Sequence, residues 1–177
     1  MIRITGGKHR SRKLITPESN LTKPTMDKVR AAVFNALGDD IINKSVLDLF
    51  SGSGSYGFEA LSRGAKGVSF VDKQLLAIKA IKDNATLLKE DNVKVFSQDV
   101  LTFLNNETNK YDVVFIDPPY KLDVYDKVLD LLETKQLLNE NAIIVLESET
   151  LLNIKEEKYK KIKLYSYGLA KIYILRK

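Results

Sequence analysis

The feature that most constrains this chain is a repeated rhythm: a short, continuously apolar run, a turn, an amphipathic helix, then another apolar run. The runs are VLDLF (46–50), GVSFVD (67–72), VKVF (93–96), YDVVFID (111–117) and AIIVLES (142–148). Strands of this kind are buried on both faces, and helical crossovers between them make their neighbours parallel. Apolar stripes at helical spacing fill the gaps. One holds Ile78, Ile81, Ala85 and Leu88 within a helix of about 73–90; another holds Leu122, Tyr125, Val128, Leu129 and Leu132. A short helix is expected near 100–105, and one after the first strand that runs to Gly64. Beyond residue 160 the rhythm breaks. KKIKLYSYG (160–168) and AKIYILRK (170–177) lie too close together for a crossover helix and form an antiparallel hairpin. The predicted fold is α/β, with a seven-stranded, mostly parallel sheet whose last strand is reversed.

The N-terminal part follows a different plan. RIT and RKLIT flank Gly6-Gly7, a pair suited to a tight reversal, and predict a β-hairpin. A helix should follow, capped by Thr25, with Asp27 in its first turn and Gly38 as its stop; Val29, Val33, Ala36 and Leu37 share its docking face. Charge concentrates here. Residues 1–30 hold eight basic side chains (Arg3, Lys8, Arg10, Arg12, Lys13, Lys23, Lys28 and Arg30) against Glu18 and Asp27, while the other 147 residues hold 20 basic and 21 acidic ones. The whole positive excess of a chain of net charge +5 therefore lies in its first sixth. A cationic arm on a near-neutral body calls for a polyanion, and nucleic acid is the common one. Residues 1–40 are read as this nucleic-acid-binding extension and residues 41–177 as the main domain. His9 reads as a bystander in the basic patch.

Composition closes several routes. The chain of 177 residues has no cysteine and one histidine, so a disulfide framework, a thiolate or histidine metal site, a cysteine nucleophile and a Ser-His-Asp triad are all disfavoured. No apolar run approaches the roughly 18–20 residues of a membrane span, and MIRITGGKHR lacks the apolar core of a signal peptide. A metal-free, cytoplasmic protein without a membrane partner is expected.

Open α/β sheets bind ligands outside the carboxyl ends of their strands. Asp48, Asp72, Asp99 and Asp117 each end an apolar run or closely follow one. In DLFSGSGSYG (48–57), Gly52, Gly54 and Gly57 have the G-x-G-x-x-G spacing after a strand and before a helix, with Asp72 placed 20 positions after Gly52. This is a turn for an adenosine-containing ligand, with the Asp72 carboxylate accepting from ribose hydroxyls. NAD and S-adenosylmethionine both suit such a turn. Asp48 beside the glycines would repel a pyrophosphate but suit the ammonium of a methionine moiety, and little chain is left for the second domain a dinucleotide enzyme needs. Gln98-Asp99 could read the adenine amine, and Asp99 could equally cap the helix that starts near residue 100.

The sharpest signal is Asp117-Pro118-Pro119-Tyr120, directly after YDVVFI. Two prolines end the strand and fix a rigid bend. Asp117 and the Pro118 carbonyl can accept hydrogen bonds from a planar exocyclic amine and draw electron density back to its nitrogen, while Tyr120 offers a face for base stacking. Glu147 and Glu149 could border the same pocket, although structural or solvated roles suit them better. Tyr165, Tyr167 and Tyr173 alternate as core or sheet-surface residues do.

DPPY together with DLFSGSG resembles the amino-directed nucleic-acid methyltransferases of the class I, Rossmann-like fold. With RITGGKHRSRKL, KPTMDKVRAAVFNAL (23–37) and DLFSGSGSYGFEALSRGA (48–65), essentially the whole chain resembles the RsmD family of 16S ribosomal RNA guanine-N2 methyltransferases. The resemblance implies S-adenosylmethionine as donor, S-adenosylhomocysteine as product, and 16S rRNA or the small ribosomal subunit as partner, with the enzyme acting as a monomer. It implies a catalytic set of Asp117, Pro118, Pro119 and Tyr120. The cofactor pocket would be formed by Asp48, Phe50, Ser51, Gly52, Gly54, Asp72, Lys73, Gln98, Asp99 and Val100. Arg3, Lys8, Arg10, Arg12, Lys13, Lys23, Thr25, Lys28 and Arg30 would face RNA. Departures from the family pattern are Lys23 for arginine, Ala31 for glutamate, Ser51 for alanine and Tyr56 for leucine. Other readings are an adenine-N6 methyltransferase, an NAD-dependent oxidoreductase, or an inactive RNA-binding assembly factor.

Overall fold

The computed structural model describes residues 2–17, 27–119 and 122–177. Lys23, Thr25 and Tyr120, together with the cap assigned to Thr25, lie outside the described residues.

The strands alternate their side chains between two cores, as the pleat requires. They are β3 (Ser45–Leu49), β4 (Gly67–Asp72), β5 (Val93–Ser97), β6 (Tyr111–Ile116), β7 (Leu138–Ser148), β8 (Lys161–Tyr167) and β9 (Ala170–Arg176), and they form one sheet in the order β5-β4-β3-β6-β7-β9-β8. Only β9 runs against its neighbours, inserted between β7 and β8, so the expected reversal of the last strand holds. One core buries Val46, Phe70, Val113, Phe115 and Val145; the other buries Leu47, Leu49, Val71, Val114, Ile116 and Leu146.

Helices α1 (Asp27–Leu37), α2 (Ser55–Ser62) and α3 (Leu75–Leu88) cover the first face. Helices α4 (Val100–Asn106) and α5 (Tyr125–Thr134) cover the second. Phe34 of α1 and Tyr56 of α2 close over Phe115 with ring centroids 5.5 and 4.8 Å away, each ring removing apolar area worth about 1.5–3 kcal/mol. Leu122 does not join α5. The helix begins at Tyr125 and Leu122 is exposed, because its N–H closes a turn onto the Pro119 carbonyl at 2.9 Å.

The N-terminal hairpin is wider than the sequence suggests. β1 (Ile2–Arg3) pairs with β2 (Lys13–Leu14), and the ladder extends through Ile4 N–H to the Arg12 carbonyl, 3.0 Å. Gly6-Gly7 therefore sits on the flank of a long loop and not at a tight reversal. Its glycines serve close approach instead: Gly7 has φ +74°, and a Cβ there would stand 1.9 Å from the Ser62 carbonyl at the end of α2. The sheet order changes direction at β3, whose two neighbours β4 and β6 are reached on opposite sides. That switch point is where this architecture opens a ligand crevice.

Candidate active site at the carboxyl ends of the strands

Two loops meet at the switch point. The first leaves β3 through Phe50, which turns left-handed at φ +58°, then Gly52 and Gly54 at φ +54° and +77°. A left-handed non-glycine residue costs about 1–2 kcal/mol, so the loop must be held by other bonds. Ser51 provides several. Its hydroxyl donates to the Asp48 carbonyl (2.6 Å) and accepts from Val71 N–H (2.9 Å). Its hydroxyl thus ties the loop after β3 to β4, a bond that an alanine there would have no group to make.

Asp72 braces the same loop. One carboxylate oxygen accepts from Gly52 N–H at 2.9 Å and the other from Gln74 N–H at 2.8 Å. Each oxygen keeps a lone pair beyond these bonds, so Asp72 can both shape the loop and accept from a diol. Asp48 is almost fully buried and accepts from Gly57 N–H in the first turn of α2, at 3.0 Å. Burial pushes its carboxyl well above the usual range; the Gly57 bond opposes this and the negative charge of Asp72 adds to it. A cationic group placed between these acids relieves both strains. Gln98 N–H donates to the Asp72 carbonyl at 3.1 Å, which joins the ends of β4 and β5. Asp99 caps α4, accepting from Leu101 N–H and Thr102 N–H at 2.9 and 3.2 Å, and its carboxylate remains exposed. Lys73 is exposed, while Val100 is buried under the loop with the second core.

The second loop leaves β6 next door. Asp117 is half-buried, Pro118 buried and Pro119 exposed. Buried Pro118 thus anchors the bend, with half-buried Asp117 directly before it at the end of β6. The glycine loop and the Asp-Pro-Pro bend close adjacent parallel strands, with Leu49 paired to Ile116 at the last register position. Sequence reasoning placed these residues in one site, and the fold brings them together.

The basic arm needs correction at Arg30. It is fully buried, its guanidinium paired with Glu59 (3.3 Å) and Asp27 (2.9 Å) and bonded to the Arg3 carbonyl, so it cannot face RNA. Arg3, Lys8, Arg10, Arg12, Lys13 and Lys28 are exposed. Lys8 pairs with Glu90 at 2.8 Å and Arg12 donates to the Leu87 carbonyl at 3.1 Å, so both are oriented by α3 and its end. His9 is more than a bystander: its Nε2 lies 2.6 Å from a Glu90 carboxylate oxygen and pins the loop to the body.

Sequence reasoning missed the residues that bind arm to body. Glu59 accepts from Thr5 N–H (2.8 Å), Thr5 Oγ1 (2.6 Å) and Arg63 (2.8 Å) as well as Arg30. Asn84 spans the arm and the glycine loop: its amide nitrogen donates to the Ile15 carbonyl (2.9 Å) and the Ser53 carbonyl (3.1 Å), while its oxygen accepts from Ile15 N–H (2.7 Å). The available signal was position. Asn84 stands in the apolar stripe of α3, and Glu59 is the one charge in the SYGFEALS helix; a polar residue on a core face is buried only with partners.

The chain matches one family, described as Conserved hypothetical protein 95, over residues 2–176. The Ribosomal RNA small subunit methyltransferase D of Escherichia coli (strain K12) is 37% identical over 148 residues, spanning 84% of this chain and 75% of that protein. Among solved structures, the yhhF protein of Escherichia coli superposes with a TM-score of 0.87 at 31% identity, covering 99% of this chain and 97% of that one. A T. thermophilus 16S rRNA N2 G1207 methyltransferase (RsmC), solved with AdoMet and guanosine, shares the fold at a TM-score of 0.73 and 20% identity, over 92% of this chain and 45% of that one. Sequence identity over most of the chain and the close superposition lead to one conclusion: the chain belongs to the Conserved hypothetical protein 95 family, that of the ribosomal RNA small subunit methyltransferase D proteins.

Proposed function

We propose that this chain methylates the exocyclic 2-amino group of a guanine in 16S ribosomal RNA, with S-adenosylmethionine as donor. The observation that carries the reading is the adjacency of Asp117-Pro118-Pro119 and the Asp72-braced glycine loop at the ends of neighbouring strands. The names of the relatives support the substrate class.

The donor would supply a methyl group on a sulfonium, a carbon already activated for displacement. The residues here fit it: Asp72 for the ribose hydroxyls, Asp48 for the ammonium, Gln98 and Asp99 for the adenine amine, with Phe50, Ser51, Lys73 and Val100 around them. Asp117 and the Pro118 carbonyl would accept from the two amine hydrogens, so that the nitrogen lone pair turns toward the methyl carbon. Holding the two reactants in line supplies most of the acceleration. The target guanine must leave its stack to reach this position, and Tyr120 is assigned the stacking face.

Residues 1–40 would form the RNA-binding extension of a monomeric enzyme whose methyltransferase domain spans 41–177. Phosphate contacts fall to exposed Arg3, Lys8, Arg10, Arg12, Lys13 and Lys28, with Lys23 and Thr25 assigned from sequence. The hairpin of residues 2–14 is a fixed surface: Ile2, Ile4 and Leu14 are buried in the same core as α1, α2 and α3. The test is to map methylated nucleotides in small-subunit rRNA from cells with and without the gene. Loss of a single N2-methylguanine supports the reading, and an unchanged methylation map refutes it.

A further inference from the structure

Glu147 ends the apolar part of β7 one residue past the Ile116–Leu146 pair, the last paired position of β6 and β7. It is thus the in-register neighbour of Asp117 on the adjoining strand. Two residues earlier, Phe115 and Val145 both enter the core under α1 and α2, so the pleat directs Asp117 and Glu147 to that same side. Glu147 is only 6% exposed and is fixed at both ends: the Tyr56 hydroxyl donates to its Oε2 at 2.9 Å and the Tyr125 hydroxyl to its own carbonyl at 2.7 Å. Tyr56 is itself immobilised by stacking on Phe115, and its phenol is pushed well up, by burial first and then by the charges of Glu147 and Asp117. Both carboxylates therefore act on one small volume.

Resting on the guanine reading above, we infer that Glu147 is the residue that selects guanine, its carboxylate accepting from the guanine N1–H while Asp117 accepts from the adjacent 2-amino group. The chemistry is specific. Guanine presents two neighbouring donors, N1–H and N2–H, on its Watson–Crick edge, and two neighbouring carboxylates match them. Adenine presents an amine beside an N1 lone pair, which would confront the Glu147 carboxylate with one acceptor against another. A site built to bond a donor rejects the analogue that lacks it by large factors, because its own acceptor is then desolvated for nothing. An Asp-Pro-Pro bend alone serves either amine; a fixed second acceptor separates them.

The test uses small subunits from cells lacking the gene, and small subunits rebuilt with 2-aminopurine at the guanine that mapping identifies. That base keeps the 2-amino group and replaces N1–H by a lone pair. The full chain should methylate the guanine particle at least a hundredfold faster, in kcat/KM, than the 2-aminopurine particle. Glu147→Gln keeps an oxygen for the Tyr56 hydroxyl and gives the N1 lone pair a donor, so it should cut this ratio to tenfold or less, in part by gaining rate on 2-aminopurine. Tyr56→Phe, which removes the phenol's hydrogen bond to Glu147 but keeps the stacked ring, should lower the ratio in the same direction with cofactor affinity unchanged. A wild-type enzyme that treats both particles alike overturns the inference, as does a ratio that neither variant alters. If wild type leaves the guanine particle unmethylated, the guanine reading falls first and this inference with it.

Discussion

The Nε of Arg30 lies 3.3 Å from a carboxylate oxygen of Glu59, and neither side chain reaches solvent. This pair is the hub that fastens the basic arm, since Glu59 also holds Thr5 and Arg63 while Arg30 holds the Arg3 carbonyl. Removing one member takes away the other's buried counter-charge and leaves it to its remaining ion pair, Asp27 for Arg30 or Arg63 for Glu59. Breaking a buried pair in this way costs up to about 3–5 kcal/mol, whereas replacing both with apolar residues of similar volume costs far less. Urea unfolding of Arg30→Met, Glu59→Leu and the double variant should show the double variant more stable than either single one. Additive losses would remove the pair from this role.

Most of the fold was legible because the central strands β3, β4 and β6 are buried on both faces. A run such as VVFI (113–116) has no polar position, and β4 spans the residues its apolar run marks. Asp72, Asp99 and Asp117 were legible for the same reason, each closing or following an apolar run, while Asp48 sits inside its run. The tight turn at Gly6-Gly7 was misjudged because Gly6 answers to the Arg63 side chain and Gly7 to the Ser62 carbonyl, neighbours distant in the chain that no local pattern encodes. Arg30 was misassigned on the same grounds. Its sequence neighbours are the exposed Lys28 and the charge-rich arm, and only the fold places Glu59 beside it.

Asp72 is expected to serve the cofactor twice, through the ribose and through the Gly52 N–H it holds. Asp72→Asn sets an amide N–H against one of two backbone donors, so S-adenosylmethionine affinity should fall by about 1.5–3 kcal/mol, the scale of hydrogen bonds to a charged group. RNA affinity should hardly change. Calorimetry giving wild-type cofactor affinity would take Asp72 out of the site.

RNA binding should depend on exposed arm charges and not on Arg30. Reversing Arg10 and Lys13 to glutamate should weaken RNA binding strongly. The dependence of log K on log salt should also flatten, because an arm that neutralises fewer phosphates displaces fewer counterions. Folding and cofactor affinity should remain. A salt slope equal to that of wild type in the reversed variant would place the RNA elsewhere.

Acid should loosen the ties that Asp112 of β6 makes to its two neighbours, Ser45 of β3 and Asn139 of β7. Burial opposes ionisation of Asp112, but the backbone N–H and hydroxyl of Ser45 and the Asn139 amide outweigh it and hold the carboxyl below its ordinary value of 3.8. A carboxyl with a lower folded than unfolded pKa adds stability above its unfolded value and loses it as pH falls through the folded one. Asp112→Asn should therefore be less stable than wild type at pH 7, and the gap should narrow on descent below about pH 4, given that ordinary value. Denaturation at several pH values would decide; a gap constant with pH contradicts the assignment.

The chemistry itself is most exposed at Asp117. Asp117→Asn preserves the shape of the side chain but turns one of its two terminal atoms into a donor, which opposes the amine hydrogens. It also removes the negative charge that stabilises the cation developing on nitrogen as the methyl group transfers. Losing one such group costs about 2.7–4 kcal/mol, roughly a hundred- to a thousandfold in turnover. Because the interaction strengthens in the transition state, kcat should fall far more than KM rises. Tyr120→Ala should instead lose about 1–3 kcal/mol of base stacking and weaken capture of the flipped base. Single-turnover kinetics at saturating RNA and S-adenosylmethionine isolates the transfer step. Near wild-type transfer by Asp117→Asn would mean that the Asp-Pro-Pro bend does not hold the reacting amine.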